Sequence, residues 1–195
     1  MILAAGGSRR FGRAKLLVRQ GPLTLFERSV RLGQAVAGPR CVVVLGARAS
    51  RHAAVLRTPR PAMVVNRRWR AGMSTSLAAG LKALPASARG ALVLLADQYA
   101  LQAADLSGLV AAWRRRPHAV VASGWAGLCG PPVMLPRAQF KAAMAGTGDA
   151  GARHLLRTPG VHVHVEPLAA AALDLDRPRD RAPARFRRHS PAAAS

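Results

Sequence analysis

Acidic residues are scarce in this chain. Of its 195 residues only eight are Asp or Glu, against 30 Lys and Arg, which gives a formal net charge of +22. Such a charge would ordinarily suggest binding to nucleic acid or to an anionic membrane. The basic residues are 27 Arg and three Lys spread through an Ala- and Arg-rich background, however, a bias that a GC-rich coding sequence produces. We therefore attribute only part of the charge to a small polyanionic ligand, and we predict neither nucleic acid nor membrane as a partner.

Aromatic residues, cysteines and long apolar runs are also few. Aromatics make up 4% of the chain, too little for the stacking platform of a single-strand binder. Cys41 and Cys129 lack metal-ligand spacing, so we interpret both as ordinary thiols. No apolar run is long enough to span a bilayer, and Arg9 interrupts the start before a signal peptide could form. We expect a cytoplasmic protein.

The remaining pattern is an alternation of short apolar runs with segments of helical period. Strands are predicted at 1–4, 41–45, 62–65, 90–96, 118–122 and 161–165, and helices at 22–37, 49–57, 74–84, 104–115 and 137–144. This alternation predicts an α/β domain with a parallel sheet, over residues 1–180. Residues 181–195 are rich in Arg, Pro, Ala and Ser without periodicity, which predicts a disordered basic tail.

A loop rich in glycine and arginine follows the first strand. Gly6, Gly7 and Gly12 allow tight turns and bring backbone N–H groups close to an anion. The loop also carries four basic side chains: Arg9, Arg10, Arg13 and Lys15. The spacing matches neither the Walker loop nor the Rossmann fingerprint. This chemistry suits a nucleoside triphosphate, the alternative being a basic surface loop after an edge strand.

Asp97 follows the predicted strand 90–96, in which residues 91–96 are all apolar. Ligands of open α/β sheets bind just beyond the carboxyl ends of such strands, and an uncompensated carboxylate there is costly. Mg²⁺ held by one or two carboxylates and by substrate phosphates would supply the missing positive charge. A helix-capping role for Asp97 is the alternative, although Asp105 lies closer to the predicted helix 104–115.

Several segments in series resemble the MobA-like nucleotidyltransferase family. They are the spacing Leu-Ala-Ala-Gly-x-Ser-x-Arg-x-Gly-x-x-Lys at 3–15, Asn-x-x-Trp-x-x-Gly-Met-x-x-Ser-Leu at 66–77, Asp-Gln at 97–98, a Gly-x-Pro-Val segment at 130–135, Gly-Asp-x-Gly-Ala-Arg at 148–153 and the acidic run at 174–180. The Leu-Ala-Ala-Gly form is similar to the molybdenum cofactor cytidylyltransferase branch. Two positions depart from the family pattern, because Tyr99 stands in place of a proline and Pro131 in place of a His or Asn.

The resemblance implies a three-layer αβα nucleotidyltransferase with a mainly parallel sheet. The implied reaction is transfer of CMP from CTP to the phosphate of molybdopterin with release of pyrophosphate, with Mg²⁺ as cofactor and a molybdenum hydroxylase or its chaperone as a possible partner. The implied catalytic residues are Arg10, Lys15 and Asp97. The implied nucleotide-binding residues are Leu3, Ala4, Ala5, Gly6, Gly7, Ser8, Asn66, Gly72, Ser74 and Ser76. The implied acceptor-binding residues are Gly130, Pro132, Asp149 and Arg153.

The second metal ligand is assigned within the acidic run. Asp174 and Asp176 are two residues apart and would share one face of a strand, so one of them could meet Asp97 across a divalent ion. Asp176 is the preferred ligand, and the proposed metal pair is therefore Asp97 and Asp176.

Other interpretations stay open at this point. Guanylyl transfer or transfer to a sugar phosphate fits the same family, and a catalytically idle basic domain that binds RNA or docks on an enzyme is the alternative of another class. Ser74 could cap a helix, as could Asp149 with Arg153 four residues on. His162 and His164 share a strand face, which favours an exposed edge strand over a metal site.

The opening strand is short. It has only residues 1–4, against about five or six in a typical strand, and the family normally has several residues before this motif. We therefore expect that the natural chain starts upstream of the first residue printed, and that an N-terminally extended chain has a higher melting temperature.

Overall fold

A central sheet of seven strands organises the chain. The computed structural model describes residues 1–8, 11–12 and 14–175, except for the side chains of Ala150 and Arg153. The strands are β1 Ile2–Ala4, β2 Arg19–Gln20, β3 Leu23–Thr24, β4 Val42–Leu45, β5 Ala62–Val65, β6 Gly90–Leu95, β7 Val120–Trp125, β8 Leu128–Pro136 and β9 Val163–Pro167. The sheet has the order β5-β4-β1-β6-β8-β7-β9, and β2 pairs with β3 in a separate hairpin. Only β8 runs antiparallel to its neighbours in the large sheet, which confirms the predicted mainly parallel sheet.

Helices cover both faces of this sheet. They are α1 Leu25–Ala37, α2 Ala49–Val55, α3 Met73–Lys82, α4 Ala103–Arg115 and α5 Phe140–Met144. Alternate side chains of each strand enter opposite cores: Ile2 packs with the layer of α1 and α4, whereas Leu3 packs with the layer of α3 and α5. The predicted three-layer αβα architecture is confirmed. Within the described residues, no helix has the length and hydropathy needed to cross a membrane.

The short strand β1 lies in the middle of the sheet. Ile2 is paired with Val43 of β4 on one side and with Leu94 of β6 on the other, and all three residues of β1 are buried. Because β4, β1 and β6 are parallel, their carboxyl ends lie at the same edge of the sheet. The glycine-rich loop leaves β1 at this edge and Asp97 follows β6 there, so the fold itself brings the two together.

The helix-capping signals in the sequence are present in the structure. Thr24 caps α1 with its hydroxyl, which accepts from the Glu27 N–H at 3.1 Å, while the Glu27 carboxylate accepts from the Thr24 N–H at 2.8 Å and has its pKa lowered by that bond. Asp105 likewise accepts from the backbone N–H of Gln102 at 2.7 Å, at the start of α4. Helix α1 begins at Leu25 rather than at the predicted residue 22, because the two preceding residues form β3.

Two other segments differ from their predicted form. The Gly-x-Pro-Val segment at 130–135, for which no strand is predicted, lies within the long strand β8, which forms a hairpin with β7 through a turn at Gly127, whose φ is +75°. The predicted helix 137–144 starts as a 3-10 turn and becomes α-helical only at Phe140. Strand β9 pairs only with β7 within the described residues, so the predicted edge strand around His164 is confirmed.

His52 on α2 is a buried titratable group within this fold. It is 2% exposed, its ring lies 5.3 Å from the Phe26 ring, and neither ring nitrogen has a hydrogen-bond partner among the described residues. Burial lowers the pKa of His52 below its usual 6.5, and the charge of Arg48 lowers this pKa further. Protonation of the ring is therefore disfavoured in the folded state but not in the unfolded chain.

Stability is consequently expected to depend on pH through His52. Between the lowered folded pKa and the unfolded pKa the unfolded chain binds more protons, so the free energy of unfolding falls as the pH drops below about 6.5. Denaturant titrations from about pH 7.5 to about pH 5 should show this decline, and His52→Leu should flatten it. The same change at the exposed His118 serves as control and should leave the slope as in the unmodified chain. Equal slopes for the unmodified chain and His52→Leu would contradict the assignment.

Candidate active site

A pocket of about 640 Å³ opens at the carboxyl ends of β1 and β6. Its lining comes from β1 and the glycine-rich loop, from the segment before α3 and the start of that helix, and from the end of β6. Pro131 of β8 and residues near 149–152 and at 174 complete it. The lining residues are Leu3, Ala5, Gly6, Gly7, Ser8, Phe11, Lys15, Leu16, Trp69, Arg70, Met73, Ser76, Leu95, Ala96, Asp97, Pro131, Asp149, Ala152 and Asp174. This volume is within the range of small-molecule sites. The sheet edge predicted to carry the chemistry therefore has a concave site of suitable size.

Lys15 and Asp97 are in direct contact in this pocket. The Lys15 ammonium donates to Oδ2 of Asp97 at 2.6 Å, although the two residues are 82 positions apart. Their side chains are 14% and 19% exposed. A carboxylate so nearly buried needs a positive partner, as expected from the sequence, and in the structure Lys15 provides one. Two of the residues predicted to be catalytic thus lie together, while Arg10 lies outside the described residues.

The backbone around Asp97 is held from two sides. The Asp97 carbonyl accepts from the Leu175 N–H at 3.1 Å. The next residue, Gln98, is 5% exposed, and its side-chain amide donates to the carbonyls of Pro131 at 2.7 Å and Ala171 at 2.9 Å. These bonds fix the turn after β6 even though Tyr99 replaces the family's proline. Asp97 is therefore presented to the pocket by a fixed backbone.

The second predicted metal ligand is only partly addressed by the structure. Asp174 forms an isolated antiparallel bridge with Gln98 and lines the pocket, so its backbone is adjacent to that of the Asp97 turn. Asp176 lies outside the described residues, as does the predicted tail. Of the acidic pair, Asp174 is thus the member whose position in the pocket is known.

The glycine-rich loop has its carbonyl groups engaged by neighbouring segments. The Ala5 carbonyl accepts from the Ala47 N–H at 3.0 Å, and the Gly7 carbonyl accepts from the Arg48 guanidinium at 2.9 Å. Ser8 has φ +54°, and its hydroxyl accepts from the Lys15 N–H at 3.4 Å. With these carbonyls bonded elsewhere, the negative ends of two loop peptides are neutralised next to the place where phosphates would bind.

Trp69 and Arg70 line the pocket but were not predicted as site residues. The Trp69 ring packs so closely on Gly7 that a Cβ added there would lie 3.0 Å from the ring. The Arg70 guanidinium stacks on the Trp69 ring, 4.5 Å from its centroid. The motif at 66–77 includes Trp69, so Trp69 could have been predicted as a site residue from the sequence. Arg70 is not a defined position of that motif, so its place in the pocket could not.

The segment 148–153 is bound to the start of helix α3. Gly72 is the N-cap of α3 with φ +109°, and a Cβ on it would collide with the Gly148 backbone. The Asp149 carboxylate accepts from the Met73 N–H at 3.3 Å, and the Ser74 hydroxyl donates to the Gly148 carbonyl at 2.7 Å. The alternative that Ser74 caps the helix does not hold, because Gly72 occupies the cap position and Ser74 lies within the first turn.

Asn66 joins the end of β5 to the same helix. Its side-chain amide donates to the hydroxyls of Thr75 at 2.8 Å and Ser76 at 2.9 Å, and its carbonyl oxygen accepts from the Arg68 N–H at 2.9 Å. Asn66 is 7% exposed. All of these partners are protein groups, so Asn66 holds the segment between β5 and α3 in place. A direct contact of its side chain with nucleotide stays a prediction.

The predicted binding residues divide into two groups by their place in the structure. Those that line the pocket are Leu3, Ala5, Gly6, Gly7, Ser8, Ser76 and Asp149. Those absent from the described pocket lining are Ala4, Asn66, Gly72, Ser74, Gly130 and Pro132, and the side chain of Arg153 is not described. Ala4 packs in the core on the α1 side because strand residues alternate between faces. Between Gly130 and Pro132, it is Pro131 that reaches the pocket.

Comparisons with known proteins agree with this fold and site. The family model described as the MobA-like NTP transferase domain matches residues 1–165. The chain belongs to the MobA-like NTP transferase family. A member of this family is a nucleotidyltransferase by class, which agrees with the class of activity expected from the sequence.

The chain is also similar to individual proteins in sequence and in fold. The chain is 32% identical over 166 residues to nicotine blue oxidoreductase of Paenarthrobacter nicotinovorans, covering 80% of each chain. A solved homolog of Mycobacterium tuberculosis Rv0371c, from Mycobacterium sp. strain JC1, has 25% identity and a TM-score of 0.80, with 92% of this chain and 90% of that one covered. Rv0371c itself, solved in complex with manganese, has 22% identity and a TM-score of 0.76, with 92% of each chain covered.

Proposed function

We propose that this chain transfers CMP from CTP to the phosphate of molybdopterin and releases pyrophosphate. The observation that carries the proposal is the Lys15–Asp97 pair, 2.6 Å apart, beside the glycine-rich loop in the pocket. A cation for phosphates next to a carboxylate for a divalent ion is the combination that nucleotidyl transfer requires. The choice of CTP and molybdopterin rests on the Leu-Ala-Ala-Gly sequence at 3–6 and its resemblance to the cytidylyltransferase branch.

The proposed reaction needs no general base. An oxygen of the acceptor phosphate forms a bond to the α-phosphorus of the triphosphate. The bond from the α-phosphorus to the bridging oxygen breaks, and its electron pair leaves with pyrophosphate. Because the acceptor phosphate is already ionised, no proton has to be removed, and catalysis depends on alignment and on neutralising charge. Lys15 and Arg10 would hold the phosphates, and the backbone at residues 4–7 would contact base and ribose.

The residues present fit a divalent cation bound together with substrate. Asp97 and Asp174 offer carboxylate oxygens in the pocket, and the described residues contain no group of three or more His, Cys, Asp or Glu that could hold a metal alone. Mg²⁺ is typically bound in this way, by one or two carboxylates with substrate phosphates completing its shell. In the proposed enzyme Asp97 holds the ion, with Asp174 or Asp176 as second ligand, and the ion would neutralise charge on the triphosphate and on the departing pyrophosphate.

The proposal is tested by incubating the protein with each of the four nucleoside triphosphates, Mg²⁺ and molybdopterin, and measuring pyrophosphate release. We expect release with CTP that requires all three components. Release with GTP in place of CTP, or with a sugar phosphate in place of molybdopterin, would replace the proposal by guanylyl or sugar-phosphate nucleotidyl transfer. No release with any combination, together with salt-dependent binding to RNA, would favour the catalytically idle basic domain.

A redox function is a second candidate, because the relative at 32% identity is named an oxidoreductase. A dinucleotide such as NADH or NADPH also carries phosphates that the glycine-rich loop and Lys15 could bind. Nucleotidyl transfer is the better supported of the two, since hydride transfer gives no role to the Lys15–Asp97 pair. Oxidation of NADH or NADPH by a quinonoid dye, dependent on this protein and without pyrophosphate release, would reverse that order.

Arg70 is expected to bind the anionic acceptor. It lies two residues before Gly72, at the contact between α3 and the segment that carries Asp149, and its guanidinium is oriented by the Trp69 ring. We predict that Arg70→Gln raises the KM for the phosphorylated acceptor by about tenfold, with kcat and the KM for the triphosphate within about twofold. The measurement is initial-rate kinetics with each substrate varied in turn.

Arg137 provides the matched control for this prediction. Its guanidinium also stacks on an aromatic ring, that of Phe140, at 5.7 Å from the centroid, and it is not among the pocket-lining residues. Arg137→Gln should therefore leave both KM values unchanged. An unchanged acceptor KM in Arg70→Gln, or an equal effect of the two substitutions, would rule out acceptor binding by Arg70.

A further inference from the structure

We propose that Lys15 competes with the divalent cation for the Asp97 carboxylate, so that the metal ion binds firmly only when an anionic substrate draws Lys15 away. The part of this inference that concerns the substrate rests on the proposed function. The competition itself does not, because it follows from the contact between two side chains of this chain.

The Lys15 ammonium and the Asp97 carboxylate are too close for a metal ion to bind Asp97 without feeling the ammonium's charge. The Lys15 ammonium lies 2.6 Å from Asp97 Oδ2, within a pocket where both side chains are less than one-fifth exposed. Mg²⁺ binds carboxylate oxygens at about 2.0–2.1 Å. A divalent ion on this carboxylate would therefore lie within a few ångströms of the ammonium, where little water screens the repulsion between the two positive charges. Each cation therefore weakens the binding of the other to Asp97.

Asp97 and Lys15 are held in different ways. Asp97 is held through its own carbonyl by the Leu175 N–H and through the buried side chain of Gln98. Lys15 reaches the carboxylate with a flexible four-carbon side chain, and its backbone N–H is anchored to Ser8 in the glycine-rich loop. The Lys15 side chain can therefore move away from Asp97 while the backbone at Asp97 stays in place.

A bound triphosphate would offer the Lys15 ammonium a new position away from Asp97. Lys15 lies at the end of the loop whose Ala5 and Gly7 carbonyls are bonded to Ala47 and Arg48. A triphosphate bound along this loop offers the ammonium new anionic partners close to its present position. Binding of the triphosphate then lowers the cost of metal binding, and by linkage the metal lowers the cost of triphosphate binding by the same factor. The pair thus delays metal binding until substrate is present.

The first test measures Mn²⁺ binding to the full chain by electron paramagnetic resonance, without nucleotide. We expect Lys15→Met to bind Mn²⁺ about tenfold more tightly than the unmodified protein, because the competing ammonium is gone. Arg70→Met is the matched control, since it removes one positive charge from the same pocket at a residue stacked on Trp69. It should change the affinity by no more than about twofold. Equal Mn²⁺ affinities for Lys15→Met and the unmodified protein, or equal effects of the two substitutions, would overturn the proposal.

The second test uses the unmodified sequence and so does not depend on the folding of a variant. The chain has only three lysines, Lys15, Lys82 and Lys141, so reductive methylation with ¹³C gives few lysine NMR signals, each assignable by substitution. On titration with Mg²⁺ the Lys15 signal should shift while those of Lys82 and Lys141 stay in place. A Lys15 signal unaffected at metal concentrations that saturate the site would contradict the competition.

These measurements separate the inference from the proposed function. They involve neither nucleotide nor transfer, so tighter Mn²⁺ binding by Lys15→Met would support the competition even if no nucleotidyl transfer were found. Conversely, active transfer from CTP with no effect of Lys15→Met on Mn²⁺ binding would support the function and reject the competition.

Discussion

Asp97→Asn is expected to lower kcat/KM for nucleotidyl transfer by about 10³-fold or more. The amide has nearly the same shape as the carboxylate and still offers Lys15 an acceptor oxygen. The turn after β6 therefore keeps the bond from the Leu175 N–H to the carbonyl of residue 97 and the bonds from the Gln98 side chain to the carbonyls of Pro131 and Ala171. It lacks the negative charge that holds a divalent cation. The loss corresponds to about 4 kcal/mol of transition-state stabilisation. Pyrophosphate release under saturating Mg²⁺ is the measurement.

Asp105→Asn is the control for this substitution. Asp105 also accepts a hydrogen bond, from the Gln102 N–H at the start of α4, but it is not part of the pocket lining. Its substitution should lower thermal stability slightly and leave transfer unchanged, whereas Asp97→Asn should abolish transfer with a melting temperature within a few degrees of the original. Near-normal turnover by Asp97→Asn would remove Asp97 from the mechanism.

Lys15→Ala is expected to lower kcat/KM by about 10²- to 10³-fold, with both a lower kcat and a higher KM for the triphosphate. In the structure the Lys15 ammonium is in direct contact with Asp97. In the proposed reaction it neutralises negative charge that develops on the leaving pyrophosphate. Removing it also leaves a carboxylate that is 19% exposed without this partner, so the melting temperature should fall as well. Steady-state kinetics and thermal unfolding are measured on the same preparation.

Lys82→Ala provides the comparison. Lys82 is an exposed residue in the last turn of α3 and does not line the pocket. Its removal should change neither the kinetics nor, by more than a small amount, the stability. If Lys15→Ala lost stability but kept its kcat/KM, Lys15 would be a structural partner of Asp97 and not a phosphate-binding residue.

Much of the fold followed from local patterns in the sequence. The apolar runs at 42–45 and 90–95 became β4 and β6, the two strands that flank β1 in the middle of the sheet, because strands buried on both faces need continuous apolar sequence. Thr24 and Glu27 form a capping box at the start of α1, since both partners lie within one helical turn. The predicted helix boundaries were less accurate where a residue can enter either a helix or a strand. The first helix was predicted to begin at Pro22, but the residues that follow Pro22 form β3 of the small hairpin.

The candidate site could be predicted only in part. A single carboxylate after a buried strand pointed to Asp97, and glycines with basic residues pointed to the loop ending at Lys15. No sequence pattern favoured Pro131 over its neighbours as a pocket residue, since that choice depends on which residues of β8 approach the Asp97 turn. The roles assigned to the individual site residues, and the division into a domain over 1–180 and a tail over 181–195, stay predictions.

The sequence by itself determined the α/β class, the central strands, the loop rich in glycine and arginine and the presence of Asp97 at a strand end, because each depends on neighbours within a few residues. Only the tertiary structure decided that Lys15 contacts Asp97 across 82 positions and that Asp149 accepts from the Met73 N–H to cap α3. These contacts join segments far apart in the chain. Their existence depends on the order of strands in the sheet and on how the helices pack, which no local periodicity encodes.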